Sequence, residues 1–225
     1  MTSLPGTTLV TCLFDLANRE RSHDRRSGAQ YIEAAEKSVF GLDCDLVVFA
    51  DPEWVEPITA ARVGRGLAAR TRVIGVALED LRSYALLDAI TRARIEHPLQ
   101  NGNPAKDTPL YTLLQWAKFE LIARVAADAI PTGHLGWIDI GLSSIPYAGE
   151  DPFTAPSDRV RLLMLRPFFA SELSREGYFC RIWSHLAGGD IGGAVENMAG
   201  VAARFDELAR ATLANGFAAS DEQLL

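Results

Sequence analysis

One acidic residue, Asp139, lies at the carboxyl end of a short apolar segment, residues 134–140, whose composition predicts a β-strand. Gly141 follows two positions later, so a ligand can approach the backbone closely there. Ligands of open α/β sheets bind beyond the carboxyl ends of the strands. The Asp139 carboxylate is therefore a candidate site residue.

Two further aspartates follow predicted strands. Asp15 comes after a strand predicted over 7–14, and Asp51 comes after one predicted over 45–50. If these strands are parallel, the carboxylates lie at one edge of the sheet. Asp51 precedes Pro52 and is also a candidate N-cap of a helix, so its role stays open.

Three cationic side chains have positions from which they can meet a phosphorylated ligand. Arg19 and Arg21 follow the first aspartate, and guanidinium groups bind phosphate through paired hydrogen bonds. A solvated run of self-paired charges is the competing interpretation of this segment. Lys118 lies in a helix predicted over 108–129, ahead of Asp139.

A glycine-rich segment, residues 188–193, follows a strand predicted within 177–186. We interpret it as a turn whose backbone can approach a bound ring closely. His185 and Asp190 accompany this turn and offer an imidazole and a carboxylate.

The pattern Ser-x-x-Gln at Ser220–Gln223 is typical of a capping box at the start of a helix. It places Asp221 and Glu222 in a first helical turn, which favours acidic residues whatever else they do. The sequence stops at Leu225. Either this segment packs on the core, or a segment that would normally follow is missing.

Several common site motifs are absent from the sequence. The first strand is not followed by G-x-G-x-x-G, so we expect no NAD enzyme. Walker A, H-E-x-x-H and G-x-S-x-G are also missing, and we expect no haem. The three cysteines Cys12, Cys44 and Cys180 show no C-x-x-C spacing, which indicates free thiols in a reducing compartment.

Composition and charge limit the function classes further. The 225 residues are 48% hydrophobic, enough for one domain with a sizeable core. The net charge of −7 argues against a nucleic-acid partner, which would require a basic face. We find no apolar stretch of about 18 residues that would form a transmembrane segment. We expect a soluble, cytoplasmic protein.

Predicted strands alternate with predicted helices along the chain. This alternation predicts an α/β fold with a mixed, mainly parallel sheet flanked by helices. Besides the strands already given, strands are predicted over 72–78 and 160–165. Further helices are predicted over 29–40, 79–96 and 194–214.

Five segments in the same order resemble the HtrL/YibB-like family of bacterial proteins. They are residues 10–15, 47–51, 109–119, 137–141 and 220–224, with sequences VTCLFD, VVFAD, PLYTLLQWAKF, WIDIG and SDEQL. The resemblance implies a single GT-A-like domain and a glycosyltransferase that uses a nucleotide-diphosphate sugar, with a UDP-sugar favoured. The expected acceptor is a glycan, a polysaccharide precursor or another hydroxyl compound.

The resemblance also implies roles for individual residues. The residues expected to bind the nucleotide are Thr11, Phe14, Asp15, Arg19, Arg21, Asp51 and Lys118. Those expected to line the sugar and the acceptor are Trp137, Gly141, His185, Gly188, Gly189, Gly192 and Gly193. Those expected near the reacting centre, as catalytic carboxylates, are Asp139, Asp190, Asp221 and Glu222.

In this resemblance Asp139 takes the place of the metal-binding Asp-x-Asp motif, but Gly141 stands where a second carboxylate is usual. A divalent cation, Mn²⁺ or Mg²⁺, can use one carboxylate together with phosphates and waters. Two alternatives to the transferase stay open. One is a non-catalytic member that binds sugar or nucleotide, and the other is a different nucleotide-using α/β enzyme such as a methyltransferase.

Overall fold

The computed structural model describes residues 3–21, 25–103, 107–128, 133–142, 158–167, 174–182 and 185–225. Its centre is a six-stranded sheet with the spatial order β3-β2-β1-β4-β6-β5. The strands are β1 (Ser3–Leu13), β2 (Asp43–Ala50), β3 (Thr71–Gly75), β4 (His134–Ile138), β5 (Arg161–Met164) and β6 (Leu186–Ala194).

Four neighbouring strands of the sheet are parallel. β1 pairs in parallel with both β2 and β4, and β2 pairs in parallel with β3. β6 runs antiparallel to β4, with Trp137 opposite Ile191, and β5 runs antiparallel to β6. The predicted mixed, mainly parallel sheet is confirmed, and so is the shared edge of Asp15, Asp51 and Asp139.

The helices lie on both faces of this sheet. They are α1 (Leu16–Arg19), α2 (Gly28–Glu36), α3 (Val55–Val63), α4 (Leu87–Glu96), α5 (Pro109–Ala127), α6 (Arg175–Phe179), α7 (Val195–Ala214) and α8 (Asp221–Leu224). Of the helices that the structure describes, none has both the length and the apolar character of a membrane span.

Side chains of β1 alternate between two apolar clusters, as a strand buried on both faces requires. Val10 packs on the side of α5 and α7, and Leu9 packs on the side of α2 and α3. Helices α5 and α7 both pack on the sheet and against each other, and the rings of Phe119 and Phe205 stack 3.8 Å apart between them. These contacts with the sheet and with α7 hold α5 in place, and they therefore fix the position of Lys118 relative to the sheet edge.

The helix predicted over 79–96 is wrong in its first half. Two 3₁₀ segments precede α4, one at Leu78–Asp80 and one at Arg82–Leu86. The buried Glu120 carboxylate accepts the backbone N–H groups of Arg82 and Ser83 at 3.0 and 2.8 Å. These tertiary hydrogen bonds start a new helical segment there, because they satisfy backbone donors that a continuous helix would use.

The predicted turn over 188–193 is also wrong, because all of these residues lie inside strand β6. The strand predicted within 177–186 is not formed as predicted. Helix α6 extends into the start of this segment, and β6 begins only at its end, at Leu186. Glycine weakens a strand on local grounds, yet antiparallel pairing with β4 and the burial of Ile191 stabilise this one. Pairing between distant segments has overridden the local preference.

The last residues of the sequence pack on the core. Gln223 Oε1 accepts the Ser220 N–H at 2.9 Å, as the capping box predicts. The indole of Trp116 donates to the carbonyl of Ala219 at 3.0 Å. Both Asp221 and Leu224 are buried. Helix α8 is therefore held against α5 and the sheet.

Candidate functional site

A cavity of about 530 Å³ opens at the carboxyl ends of β1 and β4. Nine of the predicted site residues line it: Phe14, Lys118, Trp137, Asp139, Gly141, Gly188, Gly189, Asp221 and Glu222. The remaining lining residues were not predicted, and they are Cys12, Leu13, Leu16, Arg25, Arg26, Tyr31, Tyr111, Leu114, Gln115, Ile140 and Leu142.

Lys118 lies at the inner end of this cavity and joins three elements. Its ammonium contacts the carboxylate of Asp221 on α8 and donates to the carbonyl of Gly188 on β6 at 2.7 Å. The Nζ atom also lies 3.9 Å from Oδ1 of Asp139 and 5.5 Å from the ring centre of Trp137. Only 6% of the lysine side chain and 1% of the Asp221 side chain are exposed.

Burial alone would lower the pKa of Lys118, because a charge is poorly solvated there. The neighbouring carboxylates of Asp221 and Asp139 outweigh burial and raise the pKa above its ordinary value. The lysine is therefore a permanent cation at physiological pH.

Asp139 is held in place by its neighbours on the sheet. Its Oδ1 accepts the indole N–H of Trp137 at 2.7 Å, and its backbone N–H donates to the carbonyl of Gly189 at 2.9 Å. A Cβ atom on Gly189 would come within 2.9 Å of Oδ2 of Asp139. Since real Cβ atoms do not approach so closely, glycine at position 189 is what leaves room for this carboxylate.

Gly188 makes the same kind of room for helix α8. A Cβ atom there would lie 2.8 Å from Oδ2 of Asp221 and 2.9 Å from Cγ of Glu222. The Gly188 N–H donates to Oε1 of Glu222 at 3.2 Å. Burial raises the pKa of Glu222, and the negative charge of Asp221 raises it further. Glu222 is thus a partly buried carboxyl group that binds a proton more readily than usual.

Two arginines line another part of the cavity together with two tyrosines, and one of these arginines, Arg25, is ion-paired with Glu20 at 2.8 Å. Arg26 is exposed, lies 5.9 Å from the ring centre of Tyr31, and donates to the carbonyl of Gly141 at 2.8 Å. Arg25 lies 5.4 Å from the ring centre of Tyr111. The cavity therefore has a cationic, aromatic wall and a carboxylate-rich inner end.

These contacts show whether a divalent cation can bind between Asp139 and its neighbours. Such a cation binds carboxylate oxygens at about 2.0–2.6 Å. The ammonium of Lys118 already lies close to both Asp139 and Asp221. Within the described residues, no group of three or more His, Cys, Asp or Glu side chains is arranged to hold a metal ion. The residues present do not fit a cation shared by these two carboxylates.

The comparison with protein families decides the affiliation of the chain. The family described as "Bacterial protein of unknown function (HtrL_YibB)" matches residues 5–201, which is most of the sequence. The chain belongs to the HtrL/YibB family. Comparison with curated proteins finds no match.

One solved structure similar to this HtrL/YibB chain is the apo form of mouse xyloside xylosyltransferase 1. The two chains share 11% sequence identity, with a TM-score of 0.45. The match covers 97% of this chain and 80% of the mouse chain.

The strand-end residues Asp15 and Asp51 of this HtrL/YibB protein lie outside the cavity lining and hold the backbone together. Asp15 accepts the N–H groups of Asn18 and Gly28, each at 3.0 Å. Asp51 accepts the N–H of Asp15 at 3.0 Å and binds both terminal nitrogens of Arg19, at 2.6 and 2.8 Å. The possible N-cap contact of Asp51 is not made.

The other predicted site residues also lie outside the lining of the cavity. Arg19 is bound to Asp51 and Glu79, and the exposed Arg21 has a positive φ of 50° after α1. His185 is buried just before β6, with Nδ1 3.4 Å from the Arg166 carbonyl. The remaining ones lie within strands β1 and β6, and they are Thr11, Asp190, Gly192 and Gly193.

Sequence reasoning missed the arginines that reach the cavity. Arg25 and Arg26 belong to the same charged run as Arg19 and Arg21, and residue type alone does not separate them. Their one distinguishing signal is position, since they immediately precede the capping box that starts α2 at Ser27.

Proposed function

We propose that the protein is a glycosyltransferase that binds a nucleotide-diphosphate sugar, a UDP-sugar in first place, in this cavity. The sugar passes to a hydroxyl group of a glycan or another acceptor. The observation that carries the proposal is the division of the cavity into an arginine and tyrosine wall and a carboxylate-rich inner end. A nucleotide sugar has the matching division into an anionic diphosphate and a hydroxyl-rich sugar.

The arginine wall suits the diphosphate and the base. Arg26 is exposed, and among the described residues it forms no ion pair with a carboxylate. Its guanidinium group is available to a phosphate, which it matches with two parallel hydrogen bonds. The rings of Tyr31 and Tyr111 offer apolar surface to a planar base. The cavity volume lies in the range of small-molecule sites, about 300–1,000 Å³.

The inner end suits the transfer step. In that step the bond between the anomeric carbon and the phosphate oxygen breaks, and its electron pair leaves with the diphosphate. The acceptor oxygen forms the new bond and loses its proton to a carboxylate. We assign that carboxylate to Glu222, since Asp221 is engaged by Lys118, Asp139 lies beside Lys118 and accepts from the Trp137 indole, and Asp190 does not line the cavity. A raised pKa makes Glu222 a stronger base toward the proton of the acceptor hydroxyl.

Calorimetric titration with UDP, followed by incubation with a panel of nucleotide sugars and mass spectrometry, tests the proposal. We expect UDP to bind and Arg26→Gln to weaken it at least about tenfold, a loss of about 1.4 kcal/mol. The control is Arg204→Gln, an exposed arginine on α7 paired with Glu207. If no nucleoside diphosphate binds the wild type, the proposal is overturned. Binding without hydrolysis or transfer would favour the non-catalytic alternative.

A further inference from the structure

The ammonium of Lys118 lies beside Asp139, the carboxylate to which the resemblance gives the place of a metal-binding motif. It is next to the strand-end carboxylate of Asp139, 3.9 Å from Oδ1, and it contacts Asp221 on α8. A third contact, to the Gly188 carbonyl at 2.7 Å, fixes it from the side of β6. Three separate elements thus hold one positive charge at the inner end of the cavity.

We propose that Lys118 is the resident cation of this site and supplies, together with Arg26, the positive charge that faces the leaving diphosphate, so that nucleotide binding needs no divalent metal. This inference rests on the glycosyltransferase function proposed above. Lys118 lines the cavity, and its contacts with Asp221 and Gly188 use two of the three N–H donors of the ammonium. The third donor is available to a phosphate oxygen.

The carboxylates of the site support this assignment because each already has a protein donor. Asp139 accepts from the Trp137 indole at 2.7 Å, and Glu222 accepts from the Gly188 N–H at 3.2 Å. Asp221 is engaged by Lys118 itself. A divalent cation shared by Asp139 and Asp221 would have to displace the buried ammonium of Lys118, which contacts Asp221 and lies 3.9 Å from Asp139.

The chemistry of the leaving group requires a cation at this point. As the bond to the anomeric carbon breaks, negative charge accumulates on the diphosphate. A fixed ammonium in a site sheltered from water stabilises that charge without reorganising during the reaction. The raised pKa of Lys118 agrees with this role, since the group keeps its proton throughout the physiological range.

Calorimetric titration of the wild-type chain with UDP tests the inference, in excess EDTA and then in excess MgCl₂ or MnCl₂. We expect the affinity to agree within about twofold in all three conditions, a small difference on the scale of measured binding constants. A gain of more than about tenfold with either metal would overturn the inference and leave the proposed function standing. If no nucleoside diphosphate binds in any condition, the proposed function fails, and the inference fails with it.

Two variants separate a phosphate-facing lysine from a merely structural one. Lys118→Gln, measured in EDTA, is expected to lose at least about tenfold in affinity for UDP while uridine binds as before. Lys37→Gln, at an exposed lysine that follows the last residue of α2, is the matched control and is expected to change neither affinity. Equal losses for UDP and uridine in Lys118→Gln would contradict the inference. If Lys118→Gln does not fold, Lys118→Arg, which keeps the charge, takes its place. The ratio of its UDP affinity to its uridine affinity is then compared with the same ratio for the wild type.

Discussion

The buried ion pair between Lys118 and Asp221 makes a strong prediction about stability. Their side chains are 6% and 1% exposed, so replacing the lysine by methionine leaves a buried carboxylate without its partner. Removing one member of such a pair costs about 3–5 kcal/mol. For a chain of this length, 1 kcal/mol corresponds to about 2–4 °C in melting temperature. We therefore expect Lys118→Met to lower the melting temperature by roughly 6–20 °C.

A double-mutant cycle shows whether the pair itself causes this loss. Thermal and urea unfolding, followed by circular dichroism, would compare Lys118→Met, Asp221→Asn and the double variant. The double variant removes both charges, so we expect it to recover about 1–3 kcal/mol relative to the sum of the single losses. Additivity within about 0.5 kcal/mol would refute the reasoning, because it would mean that the two side chains do not stabilise one another.

The pH dependence of the same pair has a definite sign. The pKa of Lys118 is raised in the folded protein, since the carboxylates outweigh burial. The stabilisation is therefore complete below the pKa of an unfolded lysine, about 10.4, and is lost only as the pH rises above that value. We expect the difference between wild type and Lys118→Met to be constant around neutral pH and to shrink in strongly alkaline solution.

Three further predictions concern single positions. Glu222→Gln should abolish sugar transfer. It should also stabilise the fold at pH 7 by about 0.5–2 kcal/mol, because burial disfavours the ionised carboxylate. Unfolding in urea should show that this gain in stability shrinks as the pH falls toward 4. Gly189→Ala should weaken UDP binding in calorimetry at least about tenfold, because its Cβ would lie 2.9 Å from the strand-end carboxylate. Arg62→Met should lower the free energy of unfolding in urea by about 3 kcal/mol, because this fully buried guanidinium donates to three backbone carbonyls at 2.7–3.1 Å.

Two of these variants have a matched control. A Cβ at Gly200 on α7 meets nothing within 4 Å, so Gly200→Ala should leave UDP binding unchanged. Arg65 lies just after α3 and is exposed, and Arg65→Met should alter stability by no more than about 0.5 kcal/mol. A Glu222→Gln variant that is inactive and less stable than wild type at pH 7 would contradict the prediction that burial disfavours the ionised carboxylate at that position.

The parallel part of the fold could be predicted from sequence because its signals are local. Continuous apolar segments mark β1, β2 and β4, and Thr108 with Pro109 marks the start of α5. The antiparallel strand β6 could not be predicted, because four glycines in nine residues are typical of a turn. Its strand conformation depends on pairing with β4, some fifty positions earlier in the sequence.

The site was predictable to the extent that chain topology brings strand ends together. Asp139 and the α8 carboxylates meet at one edge, as expected for ligand sites of α/β sheets. The roles of Asp15 and Asp51 were beyond sequence reasoning. A strand-end carboxylate binds ligands or neighbouring backbone depending on what faces it, and Arg19 faces Asp51.

The position of Lys118 explains why the two glycines of β6 matter. Its ammonium binds the Gly188 carbonyl, while the missing side chains at 188 and 189 admit the carboxylates of Asp221 and Asp139 on either side. A larger residue at either position would push a carboxylate away from the lysine and leave a buried charge less well compensated. The same glycines that make β6 a poor strand on local grounds are thus required by the charge arrangement of the cavity.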